Sequence, residues 1–371
     1  MIKNKKQFIF LAIAAFLFFG AAFPGCSSSA VPKDAGVFKS IDGGLTWERK
    51  LQLILPADAK VKTDLSEINF LSFAINPNDS NIIYAGSAAN GLYQTKDAGE
   101  SWDSYNGTGL SLQAAVYYVA IDHKNIKNMY LAGVSDYGKG RIMKSEDEGL
   151  TWQEVYVTLT AGELVNRIEI DSYDTSIVYI TTTKGQIFQS ANYGRSWTVL
   201  NRLTAIINNF VISPKDTRIL YATSVSEGLF KSVNKGNDWE SLKDNLTKIP
   251  AYNNAINVIA VDPADPNIIY IGFLNGMLKS SDGGIKWSTV NIITPSAILP
   301  MNSLVVSQKD SKSIYYTIDS QVYFTNNGAE SNWLVRNLPT IRVITALTID
   351  PNNSKVIYAG TVPPPAKKKM F

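Results

Sequence analysis

Reactive side chains are scarce in this sequence. A single cysteine, Cys26, and a single histidine, His123, occur among 371 residues. One cysteine excludes an internal disulfide and a cysteine-based metal site. One histidine, in a turn of the repeats described below, gives no support to Ser-His-Asp chemistry. The sequence also lacks a phosphate-binding loop, a metal-ligand spacing and a dinucleotide fingerprint, so we expect no cofactor and no metal.

An excess of charge of one sign is also missing from most of the chain. The formal net charge is +3, and Lys3, Lys5 and Lys6 alone contribute three positive charges, so the remainder is neutral (3 − 3 = 0). A neutral chain lacks the basic surface with which proteins bind nucleic acid. Hydrophobic residues make up 45% of the sequence and charged residues 18%, which is typical of a globular protein with a large core.

Residues 1–25 have the pattern of a secretory signal, with a basic start, an apolar run and small residues at the end. The apolar run from Phe8 to Phe23 is shorter than the about 20 residues of a membrane-spanning helix. The ending AFPGC resembles a bacterial lipobox, which implies a lipid on Cys26; an uncleaved membrane anchor is the alternative. Both predict an exported chain, tethered to a membrane of the bacterial cell envelope through a linker at 26–35.

Two motifs alternate through residues 36–362. The first, as in SIDGGLTW, ends in a tryptophan, and its seven copies account for all of the tryptophans: Trp47, Trp102, Trp152, Trp197, Trp239, Trp287 and Trp333. The second, as in VDPADPNIIYIG, carries the tyrosines Tyr84, Tyr130, Tyr179, Tyr221, Tyr270, Tyr315 and Tyr358. Each period reads as four short strands joined by turns. The repeat therefore predicts an all-β fold, a seven-bladed β-propeller of four-stranded antiparallel blades.

The first and last repeats are incomplete and complement each other. The last repeat ends after its second strand, at 356–362, and a tail at 363–371 follows. The segment at 36–50 has the pattern of the missing third and fourth strands. We therefore expect the N-terminal strands to complete the last blade, which leaves no free sheet edge.

The tryptophan motif has the form Ser/Thr-x-Asp/Asn-x-Gly-x-Ser/Thr-Trp, and the chain resembles Asp-box (BNR repeat) propellers along its mature length. The Asx side chain should accept a backbone N–H two residues on, and the tryptophan should be buried between blades. An amide replaces the carboxylate in three copies, which favours a structural role for the whole set: Asp42, Asp97, Asp147, Asn192, Asn234, Asp282 and Asn327. The last copy has an extra residue before Trp333, so its turn should be distorted.

Within this group, the chain is similar to the photosystem II assembly factor and sortilin-type families. The first resemblance implies binding of a membrane-protein partner, and the second implies peptide capture in the channel. Sialidases and xyloglucan-hydrolysing enzymes share the box, but the Arg-Ile-Pro signature of sialidases is absent. We therefore expect a non-catalytic, membrane-anchored monomer that binds a protein segment or a glycan. A glycoside hydrolase acting on extracellular glycans is the alternative.

The candidate ligand surface lies where the inner strands begin, on the face that carries the longer loops. Arg167 and Glu169 stand at inner-strand positions where the other repeats carry mostly small or apolar residues. The two side chains point to the same side of a strand. We expect them to form an ion pair near the channel, either as a buried structural pair or as a polar anchor for a ligand. The full candidate set is Tyr117, Tyr118, Asp136, Tyr137, Arg141, Asn166, Arg167, Glu169, Asn208, Asn209, Asn257 and Asn302.

Two alternatives remain open at this surface. The four asparagines at the start of inner strands could ring the channel or could bond the backbone of the neighbouring blade, and their repetition favours the second. A glycosidase needs two carboxylates, and Glu169 is the only one within an inner strand; Asp136, Glu163 and Asp319, all in loops, could join it.

Overall fold

The computed structural model describes residues 33–54, 64–134, 138–203, 205–224, 226–252 and 255–365. The predicted signal, Cys26, Asp136 and Tyr137 lie outside these ranges. The described strands form seven blades, each an antiparallel sheet whose first strand borders the channel. The seven-bladed architecture predicted from the repeats is therefore confirmed.

The first three blades follow one another along the chain. Blade 1 contains β4 (Phe70–Ile75), β5 (Ile83–Ser87), β6 (Leu92–Thr95) and β7 (Ser101–Ser104), and β3 (Gln52–Leu53) joins its outer edge in parallel. Blade 2 contains β8 (Val116–Ile121), β9 (Met129–Val134), β10 (Gly140–Ser145) and β11 (Gln153–Val157). Blade 3 contains β12 (Val165–Ile170), β13 (Val178–Thr182), β14 (Gln186–Ser190) and β15 (Thr198–Arg202).

The next three blades repeat this order. Blade 4 contains β16 (Ile207–Ile212), β17 (Leu220–Ser224), β18 (Gly228–Ser232) and β19 (Glu240–Ser241). Blade 5 contains β20 (Val258–Val261), β21 (Ile269–Phe273), β22 (Gly276–Ser280) and β23 (Ser288–Thr289). Blade 6 contains β24 (Met301–Val306), β25 (Ile314–Ile318), β26 (Gln321–Thr325) and β27 (Leu334–Asn337).

Blade 7 joins the two ends of the chain. Its strands are β28 (Val343–Asp350), β29 (Asn353–Val362), β1 (Val37–Ser40) and β2 (Glu48–Lys50). Strand β1 pairs antiparallel with β29, from Val37 opposite Gly360 to Ser40 opposite Ile357, as predicted. The segment before β1 is held as well, because Asp34 accepts hydrogen bonds from Thr340 Oγ1 at 2.8 Å and from the Ile341 N–H at 3.1 Å.

Helices are few in the described chain. A 3₁₀ turn spans Leu65–Glu67, and α1 (Lys243–Thr247) lies between blades 4 and 5. Neither has the length or the apolar character needed to cross a bilayer.

The core is divided among the interfaces between blades. Among the described residues, seven clusters of buried apolar side chains each join two adjacent blades. The tryptophans occupy these interfaces, as predicted: Trp102 packs with Tyr358 of blade 7 in one cluster, and Trp197 donates from Nε1 to the Val155 carbonyl of blade 2 at 3.2 Å. Burial of such large rings makes each blade dependent on its neighbour.

The tyrosine series adds a hydrogen bond between blades. Six of the seven hydroxyls donate to a backbone carbonyl in a turn of the next blade, at 2.8–3.5 Å. The shortest is Tyr358 to Ala98, which joins blade 7 to blade 1. The seventh hydroxyl, on Tyr130, is buried without a hydrogen-bond partner. The second motif therefore provides a contact to the following Asp box or its adjacent turn.

The Asp box differs in one detail from its sequence interpretation. Asp42 Oδ1 accepts from the backbone N–H of Thr46, four residues on, at 2.9 Å, rather than two residues on. The preceding Ser40 hydroxyl accepts from Gly44 N–H at 2.8 Å, and Gly44 has φ of +88°, which favours glycine. The two side chains thus each accept a hydrogen bond from a backbone N–H of the turn. An asparagine oxygen accepts the same hydrogen bond as the carboxylate, as at Asn192.

The last box has the predicted distortion. It contains a third left-handed residue, Asn332 (φ +59°), after Gly328 (φ +75°) and Ala329 (φ +67°), whereas the other boxes have two at most. The hydrogen bond from Ser331 N–H to Asn327 Oδ1 lengthens to 3.4 Å. The extra residue is therefore absorbed within the turn, and Trp333 remains buried.

Candidate functional site

The candidate site is built on β12, the inner strand of blade 3. Arg167 and Glu169 lie two residues apart on this strand and both are half-buried. Tyr118, on inner strand β8 of blade 2, donates its hydroxyl to Glu169 Oε1 at 3.4 Å. On the other side, Arg167 donates from Nη2 to Asn209 Oδ1 of blade 4 at 2.6 Å. Three adjacent inner strands therefore contribute to one polar cluster.

The predicted ion pair between Arg167 and Glu169 does not form. No carboxylate lies within ion-pair distance of Arg167 in the described chain. The guanidinium instead stacks over the ring of Tyr118, 5.0 Å from its centre, in a cation–π contact. Because the arginine binds Tyr118 and Asn209, the Glu169 carboxyl lacks a direct cationic partner.

Burial raises the pKa of the Glu169 carboxyl from 4.5 to about 7, although the charge of Arg167 and the hydrogen bond from Tyr118 both act to lower it. Burial, followed by the neighbouring Glu169 carboxylate, also raises the pKa of Tyr118 to about 12. Removal of water disfavours the charged form of each group. At neutral pH the tyrosine keeps its proton, and the carboxyl is close to half protonated.

The asparagines at the start of the inner strands have a largely structural role. Asn166 and Asn208 occupy β-bulges near the start of their inner strands. Each donates its amide to a backbone carbonyl of the next blade, Asn166 to Ile207 and Asn208 to Ile256. Each also accepts a hydrogen bond from a threonine of its own second strand. These contacts match the backbone-bonding alternative rather than a ring of free amides around the channel.

The remaining asparagines are less uniform. Asn209 donates to the Asn257 carbonyl at 2.6 Å, which extends the polar cluster to blade 5. The side-chain oxygen of Asn257 is buried without a hydrogen-bond partner. Asn302 is half-buried on β24. We call Tyr118, Arg167, Glu169, Asn209 and Asn257 the channel cluster.

Other candidates lie apart from this cluster. Arg141 is on β10, the third strand of blade 2, paired with Gly133 and Val157. Tyr117 occupies the bulge of β8, and burial raises its pKa. The structure therefore brings together five of the twelve predicted residues.

The two described loop acids differ in their exposure to solvent. Glu163 is almost fully buried, and Lys184 lies 3.8 Å from its carboxylate. Asp319 is exposed at the turn between β25 and β26 of blade 6, and partial desolvation raises the pKa of its carboxyl. The backbone of Asp319 is left-handed, with φ of +55°.

Sequence reasoning missed a buried cation near the closure of the ring. Arg342, directly before β28, is 2% exposed and donates to Asn69 Oδ1 of blade 1. Its Nη1 lies 3.6 Å from Asp34 Oδ1. The signal was present as an arginine at the entrance of an inner strand, but its partners are 273 residues or more away in sequence. This group joins the N-terminal segment to blades 7 and 1.

Comparisons with known proteins address both fold and activity. The family model "Sortilin-Vps10: Sortilin, neurotensin receptor 3" matches residues 140–271. A xyloglucanase from a Paenibacillus species is 26% identical over 144 residues, which are 33% of this chain and 13% of that protein. The xyloglucanase Xgh74A of Acetivibrio thermocellus is 25% identical over the same length, 16% of its own chain. The match thus spans less than a fifth of either relative.

Solved structures share the fold. The GH74 xyloglucanase of Xanthomonas campestris superposes with a TM-score of 0.65 at 13% identity, covering 79% of this chain and 51% of that one. YCF48 bound to D1 peptide gives a TM-score of 0.58 at 12% identity, covering 80% and 94%. YCF48 from Cyanidioschyzon merolae gives the same TM-score and covers 79% and 96%.

These matches correct the expected activity. The sequence interpretation favoured a non-catalytic scaffold, whereas the matching curated relatives are glycoside hydrolases. The interpretation was wrong because the Asp box is common to enzymes and binding proteins and carries no information on catalysis. The motifs, the blade count and the comparisons together identify the chain as an Asp-box seven-bladed β-propeller, similar over residues 140–271 to the Sortilin-Vps10 family.

Proposed function

We propose that this propeller is a glycoside hydrolase that acts on xyloglucan or a related glycan, with Glu169 as its proton donor. The observation that carries the proposal is a carboxyl on an inner strand whose pKa is raised by burial to about 7. The names of the matching relatives support the reaction and the substrate class.

The raised pKa suits the chemistry. A general acid must carry a proton when it meets the glycosidic oxygen, and an ordinary glutamic acid is ionised at neutral pH. With a pKa of about 7, Glu169 is close to half protonated there. Tyr118 fixes one oxygen of the carboxyl by its hydrogen bond, which leaves the other oxygen available to donate.

The test is release of reducing ends from xyloglucan by the purified chain. We expect Glu169→Gln to lower kcat on the order of 100-fold or more, the usual contribution of a general acid. Glu154→Gln is the matched control, because this carboxylate is exposed on β11, at the outer edge of blade 2. The activity of the unchanged protein should decline as pH rises through about 7, where Glu169 loses its proton.

Two results would contradict this assignment. Full activity of Glu169→Gln would remove the proposed acid, whatever the substrate. Absence of turnover on xyloglucan and on a panel of chromogenic glycosides would remove the reaction class.

A further inference from the structure

One turn on the opposite face of the propeller departs from its six equivalents. The turns between first and second strands carry Asn78, Lys124, Lys215, Ala264, Lys309 and Asn352 at one position, and blade 3 carries Tyr173 there. Tyr173 is 80% exposed. Since six blades form this turn without an aromatic side chain, the fold does not require one.

The backbone of Tyr173 is held firmly despite this exposure. Its N–H donates to Asp171 Oδ1 at 2.8 Å, and its carbonyl accepts from Lys124 Nζ of blade 2 at 2.6 Å. Lys124 Nζ also lies 5.7 Å from the centre of the ring. An aromatic ring on a fixed backbone offers a flat apolar surface at a small cost in conformational entropy.

Tyr173 borders an open surface groove of about 450 Å³ between the turns of blades 3 and 4. Ser172, Asp216, Thr217, Arg218 and Lys235 contribute to its lining. The Ser172 hydroxyl donates to the Pro214 carbonyl at 3.4 Å, which connects the two turns.

Two cations of this groove are paired within the protein, and Lys215, which also lines it, has no ion pair among the described residues. Arg218 donates to both oxygens of Asp216, at 2.9 and 2.7 Å. Lys235 Nζ lies 3.1 Å from Asp171 Oδ2. Such pairs retain further N–H donors and oxygen lone pairs in fixed directions. They can bond the hydroxyl groups of a sugar, and Lys215 adds a further donor at the groove.

We propose that this groove is a second glycan-binding site, in which a sugar ring stacks on Tyr173 and its hydroxyls bond the Arg218–Asp216 pair. The choice of a glycan as ligand rests on the proposed function. The site lies on the Asp-box face, at the turn that follows β12, the strand that carries Arg167 and Glu169. A polymer bound there would be retained on the protein between cleavage events.

The test measures binding of soluble xyloglucan by native affinity electrophoresis, in the Glu169→Gln background to prevent hydrolysis. We expect Tyr173→Ala to weaken binding on the order of tenfold, and Tyr173→Phe to retain it because the ring remains. Tyr193→Ala is the matched control, an aromatic of the same blade and face outside the groove. Both alanine variants should fold, since Ala264 and Ala98 occupy the equivalent positions in other blades.

Unchanged binding by Tyr173→Ala, or equal weakening by Tyr193→Ala, would overturn the inference. The inference also fails if the Glu169→Gln parent does not bind xyloglucan. It fails as well if the parent binds only polygalacturonate and added salt abolishes that binding. The two proposals fail separately. Hydrolysis without any effect of Tyr173→Ala on binding removes the second site alone, whereas Tyr173-dependent binding by a chain that never hydrolyses glycans removes the catalytic proposal alone.

Discussion

Replacement of Glu169 by glutamine should stabilise the protein at alkaline pH and have little effect in mild acid. The folded-state pKa of about 7 lies above the reference value of 4.5, so the folded state holds this proton more tightly than the unfolded chain does. The stability associated with the protonated carboxyl is fully present below about pH 4.5 and is lost as pH rises through about 7.

The magnitude follows from the two pKa values. A difference of 7 − 4.5 = 2.5, at 1.36 kcal/mol for each pKa unit, gives about 3 kcal/mol above pH 8 and less than about 1 kcal/mol at pH 5. Glutamine keeps the size and the hydrogen-bonding capacity of the side chain but cannot ionise. At each pH we compare the free energy of unfolding of Glu169→Gln with that of the unchanged protein. The gain in stability of the variant should be about 2–3 kcal/mol larger at pH 8.5 than at pH 5.

Urea denaturation at the two pH values measures this difference. The other titrating groups are the same in the two proteins, so their contributions to the pH dependence of stability cancel. Glu154→Gln, whose carboxylate is exposed, should show the same stability difference from the parent at both pH values. If Glu169→Gln also gives a difference that does not change with pH, the Glu169 carboxyl has an ordinary pKa, and the argument for a proton donor at this position is lost.

Two further predictions concern the blade contacts and the N-terminus. Tyr358→Phe should lower the free energy of unfolding by about 1 kcal/mol, because it removes a 2.8 Å hydrogen bond to Ala98; Tyr130→Phe should be neutral or stabilising, because that hydroxyl has no hydrogen-bond partner. Denaturation curves of the pair that shift equally would contradict this role of the tyrosine series. Cys26→Ser should abolish incorporation of labelled fatty acid and release the protein from membranes or leave it unprocessed. Unaltered acylation would refute the lipobox interpretation.

The fold was predictable because each repeat encodes its own local structure. Turn residues, strand pattern and a tryptophan recur in phase, and the incomplete first and last copies specify how blade 7 is assembled. The distorted turn before Trp333 was equally readable, since one additional residue must be accommodated between fixed strands.

The site was only partly predictable. Alternation along β12 placed Arg167 and Glu169 on one side, but the position of Tyr118 depends on how blade 2 packs against blade 3. That packing directed Arg167 to the tyrosine ring and to Asn209, so the expected ion pair did not form. The raised pKa of Glu169 arises from the same packing, and no local pattern could show it.

Assembly of blade 7 from both ends also affects synthesis of the protein. Strand β1 emerges from the ribosome first, yet its partner β29 lies roughly 300 residues later, a delay of roughly 15–60 s at about 5–20 residues per second. During that interval one edge of β1 has no native partner and can pair with other chains. Nascent protein should therefore be vulnerable to aggregation until β29 has emerged and paired with β1.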